Sequence, residues 1–550
     1  MNNKIVAYDL PGKRPQRFFR MTASLKVLFC LLALSLTVAT SFSQTKTAAK
    51  VPPGLDAYIN QVLQAFEVPG VSVAIVQNGK VLLAKGYGVK KAHEPEKVDA
   101  HTLFSIASNS KAFTATALAI LVEEGKLKWD DPVIDYLPWF RMSDSYVTTH
   151  LTVRDLLVHH SGIPAYVGDL MNFPPSTFTR REILGKLKQI PLIYDFRTTY
   201  AYDNILYMAA GEVVAACSGM SWEDFVKTRI FDKLGMSESI SRFSAVKNAL
   251  NVSGSHKRIN GKIQVFNEWT DLNIGDAGNP AGGIMTNATD MAKWLITQLD
   301  SGRISAKTKL FEPSTTTQLW KLVRPMPIAK QPDDLKPAQM DFYGYALGFR
   351  TYNYGKYKIV GHGGALGGFV SQLAMVPALN LGISVFTNQE SASAYWAIIY
   401  HVLDYYMHNK PYDWLSGYQK QFKLAQQKLA QEQTKHLLKR DTTAKASLAL
   451  EKYLGNYRDV MYGDVVIAKE DTGMVMRFKQ LNHLVADVKH FQYDTFIATF
   501  RNRFLKADSY VTFSLNADGS IDRVKFKIID PDSDMDMGDL LLRPVSETKK

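Results

Sequence analysis

The chain has 550 residues, 46% hydrophobic and 11% aromatic, which is enough to bury a large core in more than one domain without disulfide staples. Its two cysteines, Cys30 and Cys217, exclude a disulfide-rich scaffold. The formal net charge of +13 is spread along the chain without the aromatic interleaving of a nucleic-acid groove, so no nucleic-acid partner is expected.

At the N-terminus Lys4, Lys13, Arg14, Arg17, Arg20 and Lys26 precede the apolar run Val27–Ala39, and Ser41-Phe42-Ser43 has the small-x-small form of a cleavage site. Residues 1–43 therefore read as a secretory signal peptide, which predicts a periplasmic or extracellular protein with no stable membrane span after cleavage. Cleavage removes Cys30 and leaves Cys217 alone, so no internal disulfide is available. It also lowers the net charge to about +8, because the segment before Gln44 carries six Lys/Arg and one Asp. A mild, salt-sensitive attraction to anionic cell-envelope polymers is the partner expectation that this charge supports.

Leu55 to Phe66 has the apolar spacing of an amphipathic helix. Val71–Gln77 and Lys80–Gly86 flank Asn78-Gly79, a hairpin signal. Next, Ser108 and Lys111 stand three residues apart where the polar cluster Ser108-Asn109-Ser110 gives way to a long helix of Ala, Leu and Ile. Residues at i and i+3 share a helical face, so an amine can reach the hydroxyl. Burial of the lysine in that helix lowers its pKa toward neutrality and favours the free base, which makes Ser108 a candidate nucleophile. Ser-x-x-Lys also occurs at Ser43/Lys46, Ser244/Lys247 and Ser546/Lys549, so the context selects Ser108.

Tyr202-Asp203-Asn204 follows at the entrance to another Ala-rich helix, where a phenol can pass a proton and a carboxamide can orient substrate. His159/His160 lack a carboxylate at metal-ligand spacing and read as structural. Strand patterns return from Tyr343 to Thr387, with His362-Gly363-Gly364 after the strand-like run Tyr357–Gly361. Glycines there let a substrate backbone approach the strand edge closely. A helix starts near Ala392. Residues 409–448 read as a solvated helical linker, and 449–545 as a small all-β domain with a turn at Asn516–Gly519. Asp530, Asp532, Asp534 and Asp536 lack the EF-hand glycine and read as a solvated acidic loop. Segregated strands and helices predict an α+β fold: an antiparallel sheet flanked by helices with an inserted helical region, plus the C-terminal all-β domain.

Ser-x-x-Lys, Tyr-x-Asn and His-x-Gly in this order resemble the signature of the serine β-lactamase and penicillin-binding-protein superfamily, in its class C and esterase-like branch. Leu156–Pro164 resembles the family's Leu-Leu-x-His-x-Ser-Gly segment, and Pro280–Trp294 its Ala-Gly-Gly and Asp-x-x-x-Trp segment. The resemblance covers residues 53–408 and implies acyl transfer through a covalent intermediate on Ser108, with Lys111 or Tyr202 taking its proton. It also implies that Asn204, His362, Gly363, Gly364 and Ala365 meet the substrate, the backbone amides of Ser108 and Ala365 forming the oxyanion hole. The C-terminal region resembles the β-rich accessory domain appended to related envelope hydrolases. No cofactor or metal is implied.

Where many members have Lys-Thr-Gly, this chain has His362-Gly363-Gly364, which removes a fixed cation and a hydroxyl that hold a substrate carboxylate. That argues against efficient β-lactam hydrolysis and toward esters, amides or D-amino-acid peptides. The alternative is a catalytically silent member of the same fold that recognises cell-wall peptides. Gly-x-Ser-x-Gly, P-loop, dinucleotide and His-Glu-x-x-His motifs are absent, so the chemistries they anchor have no support.

Overall fold

A computed structural model describes residues 50–545 apart from 267–274, 438–439, 471–472 and 534. The signal-peptide reading of residues 1–43, and Asp534 of the acidic loop, lie outside the described residues.

Helix α1 (Leu55–Phe66) buries the stripe Leu55, Ile59, Val62, Leu63 and Phe66 and leads into strands β1 (Gly70–Gln77) and β2 (Lys80–Gly88). Asn78 and Gly79 both take positive φ (50° and 72°), the type I′ geometry that matches strand twist, and Asn and Gly reach it at low cost. After α2 (Ser110–Glu123), α3 (Ile205–Ser218) and α4 (Ala288–Leu299), the chain returns to the sheet. The returning strands are β3 (Tyr343–Tyr345), β4 (Arg350–Tyr354), β5 (Tyr357–Gly361), β6 (Gly363–Leu366), β7 (Phe369–Val376) and β8 (Leu381–Thr387). The antiparallel order is β2-β1-β8-β7-β5-β4-β3, ending on the two-residue strand Arg324–Pro325, while β6 pairs with β7. The sheet is thus made from both ends of the domain, with the helical region inserted between.

Alternation along β1 sends side chains to two cores. Val71, Val73 and Ile75 pack with α1 and with α5 (Ala392–Met407), and Ala74 and Val76 pack with α2 and α4. Twelve of the fourteen residues of α2 are buried, as its all-round Ala/Leu/Ile composition requires. Helix α6 (Trp414–Leu437) starts inside the domain rather than in solvent: Trp414 is fully buried and stacks on Tyr400.

The C-terminal region closes into an antiparallel eight-stranded barrel: β9 (Gly455–Asp459), β10 (Gly463–Glu470), β11 (Gly473–Phe478), β12 (Val485–Gln492), β13 (Thr495–Phe500), β14 (Ser509–Leu515), β15 (Ile521–Ile528) and β16 (Leu541–Pro544). Closure removes the exposed edges that a small sheet would otherwise leave. The barrel is docked on the helical region. The Gly168 N–H donates to Tyr462 Oη at 3.2 Å, that of Thr177 to the Gln480 carbonyl at 3.0 Å, and the rings of Phe266 and Phe504 meet at 4.4 Å. Among the described residues no single helix is long and apolar enough to cross a membrane.

Candidate active site

Ser108 sits in the short turn Ala107–Asn109 that feeds α2. Ala107 has φ of 45°, a left-handed conformation that costs a non-glycine residue about 1–2 kcal/mol. The surroundings hold it there. The Ile106 N–H donates to the Ile284 carbonyl at 3.1 Å, and Ser371 Oγ donates to the Ile106 carbonyl at 2.7 Å while accepting from Asn109 Nδ2 at 2.8 Å. The bend puts Ser108 at the head of the helix with its side chain in a cleft of about 770 Å³.

One turn on, Lys111 is fully buried, and Nζ donates to Asn204 Oδ1 at 2.7 Å and to the Ala281 carbonyl at 2.8 Å, with Ser108 Oγ at 3.2 Å. Burial lowers the Lys111 pKa to about 7; Asp169 and Asp203 oppose the shift and Arg350 adds to it. From the other side Tyr202 Oη donates to Ser108 Oγ at 2.8 Å. Burial holds this phenol well above its ordinary pKa, although the contact with Ser108 and the nearby Arg350 work the other way. The Tyr202 ring is backed by that of His159, with centroids 4.3 Å apart, and His159 Nδ1 accepts from the Asp203 N–H at 3.2 Å. His160 is tied to Asp155 at 2.7 Å.

Asn204 stands just before α3, where its side chain makes no capping bond and instead links Lys111 to a group with no motif around it. Its Nδ2 donates to Asp169 Oδ2 at 2.8 Å, and Asp169 also lines the cleft. Desolvation raises the Asp169 carboxyl to about 7 against the pull of Asn204 and Lys111. A lysine and a carboxyl that both titrate near neutrality thus share one carboxamide.

Strand β6 forms the opposite wall. Gly367 and Gly368, with φ of 52° and 88°, make a two-residue turn that closes on the Leu366/Phe369 pair. In such a hairpin the closing pair is hydrogen-bonded and the next is not, so the Ala365 N–H points off the strand edge. Gly364 lets that edge come close: a Cβ there would sit 2.3 Å from the Ile106 carbonyl oxygen and 2.9 Å from the Ser108 nitrogen. The amides of Ser108 and Ala365 accordingly flank one side of the cleft, as do Gly363 and Gly364.

The His362 side chain departs from the expectation that it meets substrate. Its ring is 1% exposed and absent from the cleft wall. Nδ1 lies 2.6 Å from the Gly363 carbonyl, which only accepts, so Nδ1 carries the proton and Nε2 accepts from Tyr345 Oη at 2.8 Å. Burial, with Arg350 and Lys111 near, depresses its pKa well below the usual histidine value and keeps the ring neutral. Its position after β5 is shared with the site, but its polar atoms are spent on the scaffold.

Sequence reading missed Asp169 and Arg350, both on the cleft wall, and the contribution of the barrel. The loop read as solvated and acidic brings Asp532, Met535 and Asp536 to the cleft, with Asp532 paired to Lys506. Nothing local marks these residues: each reaches the cleft through tertiary contacts between segments far apart in the chain. Among the described residues no cluster of His, Cys, Asp or Glu has the geometry to hold a metal ion.

Residues 55–402 match the family described as Beta-lactamase. The chain belongs to the beta-lactamase family. Residues 439–543 match a second family, described as a domain of unknown function (DUF3471). Unguisins hydrolase ungD′ of Aspergillus campestris is 27% identical over 426 residues, covering 74% of this chain and 76% of the relative. Among solved structures, the octameric penicillin-binding protein homologue of Pyrococcus abyssi superposes with a TM-score of 0.56 at 20% identity, over 89% of this chain and 99% of that one. The D-amino acid amidase of Ochrobactrum anthropi SV3 does so with 0.50 at 22% identity, over 61% and 91%. The family and its relatives support a hydrolase of the serine type.

Proposed function

We propose that the protein is a secreted serine hydrolase that works through an acyl-enzyme on Ser108, acting on an ester, amide or D-amino-acid peptide. The observation that carries this reading is the placement of Ser108 Oγ within 3.2 Å of Lys111 Nζ and 2.8 Å of Tyr202 Oη, in a cleft edged by two backbone amides. An amine with a pKa of about 7 is neutral in half the molecules at neutral pH and can take the serine proton. Tyr202, held as a phenol, is suited to donate instead, which favours Lys111 as base.

In the forward step the Ser108 proton passes to Lys111, the Oγ–carbonyl bond forms, and the oxyanion is met by the amides of Ser108 and Ala365. The leaving group takes a proton from Tyr202 as its bond to carbon breaks, and the Lys111 ammonium restores the phenol. Water then repeats the sequence on the acyl-enzyme. The name of the relative called an unguisins hydrolase supports hydrolysis, and that of the solved D-amino acid amidase supports amides among these substrates. Export rests on the basic lead and apolar run before Gln44.

The test is to incubate the mature protein and Ser108→Ala with p-nitrophenyl acetate, a D-alanyl peptide and a fluorescent penicillin. Turnover or an acyl adduct in the wild type that the variant lacks supports the reading. Equal behaviour of the two proteins across all three overturns it in favour of a silent ligand-binding member.

A further inference from the structure

The barrel reaches the catalytic cluster through one short chain of bonds. Asp459, which ends β9, collects the N–H groups of Met461 and Tyr462 at 2.6 and 2.9 Å on one carboxylate oxygen and that of Leu541 at 2.8 Å on the other. That carboxylate ties the turn carrying Tyr462 to the start of β16, and Asp539 stands two residues before it. Tyr462 is fully buried, and its Oη donates to Asp539 Oδ2 and accepts from the Gly168 N–H at 3.2 Å. Gly168, at φ of 82°, turns the chain into Asp169. Asp169 Oδ2 accepts from Asn204 Nδ2 at 2.8 Å, and Asn204 Oδ1 accepts from Lys111 Nζ at 2.7 Å. The same segment holds the backbone of Tyr202, whose carbonyl accepts from the Tyr166 N–H at 2.7 Å. On either side of the Gly168–Tyr462 contact a carboxylate oxygen, Asp169 Oδ1 and Asp539 Oδ1, is shut away from water without a hydrogen-bond partner among the described residues.

Docking alone does not call for this. A buried oxygen left unpaired is costly, and two neighbouring carboxylates disfavour each other's ionisation. Elsewhere the fold pairs buried carboxylates with cations, as Glu223 with Arg180 and Asp155 with Arg197. We infer that Asp539, supplied by the barrel, is a positioning residue of the hydrolase site: it anchors Gly168 through Tyr462, opposes the negative charge of Asp169, and so acts through Asn204 on Lys111. Burial raises the Asp539 carboxyl to about 6 and that of Asp169 to about 7, and the Asp539 charge adds to the rise at Asp169. The charged groups facing Asp169 are Lys111, Asp203 and Asp539; those facing Asp539 are Asp536 and Asp459, with Lys186 beside Asp459. With Asp539 ionised, Asp169 keeps its proton to higher pH and supports the Lys111 ammonium less, so the free amine forms at lower pH. Calling Lys111 the base rests on the hydrolase reading, but its proton is read by titration without turnover.

The mature protein is produced with lysine carrying carbon-13 at Cε, and the Lys111 signal, the one missing from Lys111→Met, is titrated by NMR. The titration is run on the wild type, Asp539→Asn, Asp169→Asn and the double variant, with the kcat/KM profile recorded beside it. Asp539→Asn keeps the shape and an acceptor for Tyr462 Oη and removes the charge. It is expected to raise the Lys111 midpoint by roughly half a unit to one unit, whereas Asp169→Asn lowers it. In the double variant the midpoint is expected to equal that of Asp169→Asn, because the Asp539 charge acts through Asp169. If Asp539→Asn does not fold, Tyr462→Phe, which removes the donor that favours the Asp539 anion, is expected to move the midpoint the same way by less. An unchanged or lowered midpoint in the folded variant, or the same rise with Asp169 already neutral, overturns the coupling. The expected shifts in a wild type and variants that turn over no substrate overturn the hydrolase reading while supporting the coupling.

Discussion

Replacing Lys111 by Met keeps the apolar stem in its place within α2 and removes the amine. The folded protein lowers the Lys111 pKa from 10.5 to about 7, a shift worth about 5 kcal/mol at 1.36 kcal/mol per unit. Between those two values the unfolded chain binds a proton that the folded chain does not, so this residue makes wild-type stability rise with pH by about 1.4 kcal/mol per unit. Below the folded value both states are protonated and the contribution is flat. Lys111→Met has no such dependence. It also strands Asn204 Oδ1 and the Ala281 carbonyl, at about 1–3 kcal/mol each, but that loss is the same at every pH. The slope of the stability difference with pH is therefore diagnostic where its absolute size is not. From pH 7 to pH 9 the wild type is expected to gain on the variant by about 2–3 kcal/mol. All eight tryptophans lie between Trp129 and Trp414, so urea unfolding followed by tryptophan fluorescence reports the hydrolase domain without the barrel. Parallel pH profiles for the two proteins would mean that Lys111 stays an ammonium in the fold, and its assignment as base would fall.

Three further outcomes follow from the same geometry. Asp169→Asn removes a negative charge that raises the Lys111 pKa, so the rising limb of the kcat/KM profile is expected to move to lower pH, as a pH–rate series would show; a move to higher pH refutes the coupling. Gly364→Ala puts a Cβ against the Ile106 carbonyl oxygen and the Ser108 nitrogen, pushing the β6 edge off the nucleophile. A loss of about 10²–10³ in kcat with an unchanged far-ultraviolet circular dichroism spectrum is expected, and full activity would remove that edge from the oxyanion hole. Tyr462→Phe takes the shared partner from the Gly168 N–H and from Asp539, and a loss of about 1–3 kcal/mol is expected in thermal unfolding; a variant as stable as the wild type would show that this contact does not hold the barrel on the helical region.

Side chains tied to a short stretch of backbone were legible in the sequence. Ser108 and Lys111 share a helical face by spacing alone, and Tyr202 and Asn204 stand at a helix entrance where a polar turn must end. The Asn78-Gly79 hairpin was equally visible because turn chemistry is local. His362 shows where such reading stops: its motif position was plain, but the direction of its ring depends on Tyr345, seventeen residues away on another strand. Asp169 and Arg350 lie in segments without a motif and acquire their character from desolvation, which only the packed cleft supplies. The acidic character of the segment around Asp532 and Asp536 is plain from composition, but the place of these two side chains on the cleft is set by how the barrel docks.

The most direct test of the central claim is the pH dependence of Ser108 acylation. Wild-type protein is exposed for short, graded times to an excess of activated ester at pH values from 5 to 9, quenched in acid, and read by intact-mass spectrometry with peptide mapping. The account predicts one acyl adduct on the peptide carrying Ser108, formed at a rate that rises with pH and is half-maximal near pH 7, where Lys111 gives up its proton. An adduct on another residue, or a rate on Ser108 that does not change between pH 5 and 9, would contradict it.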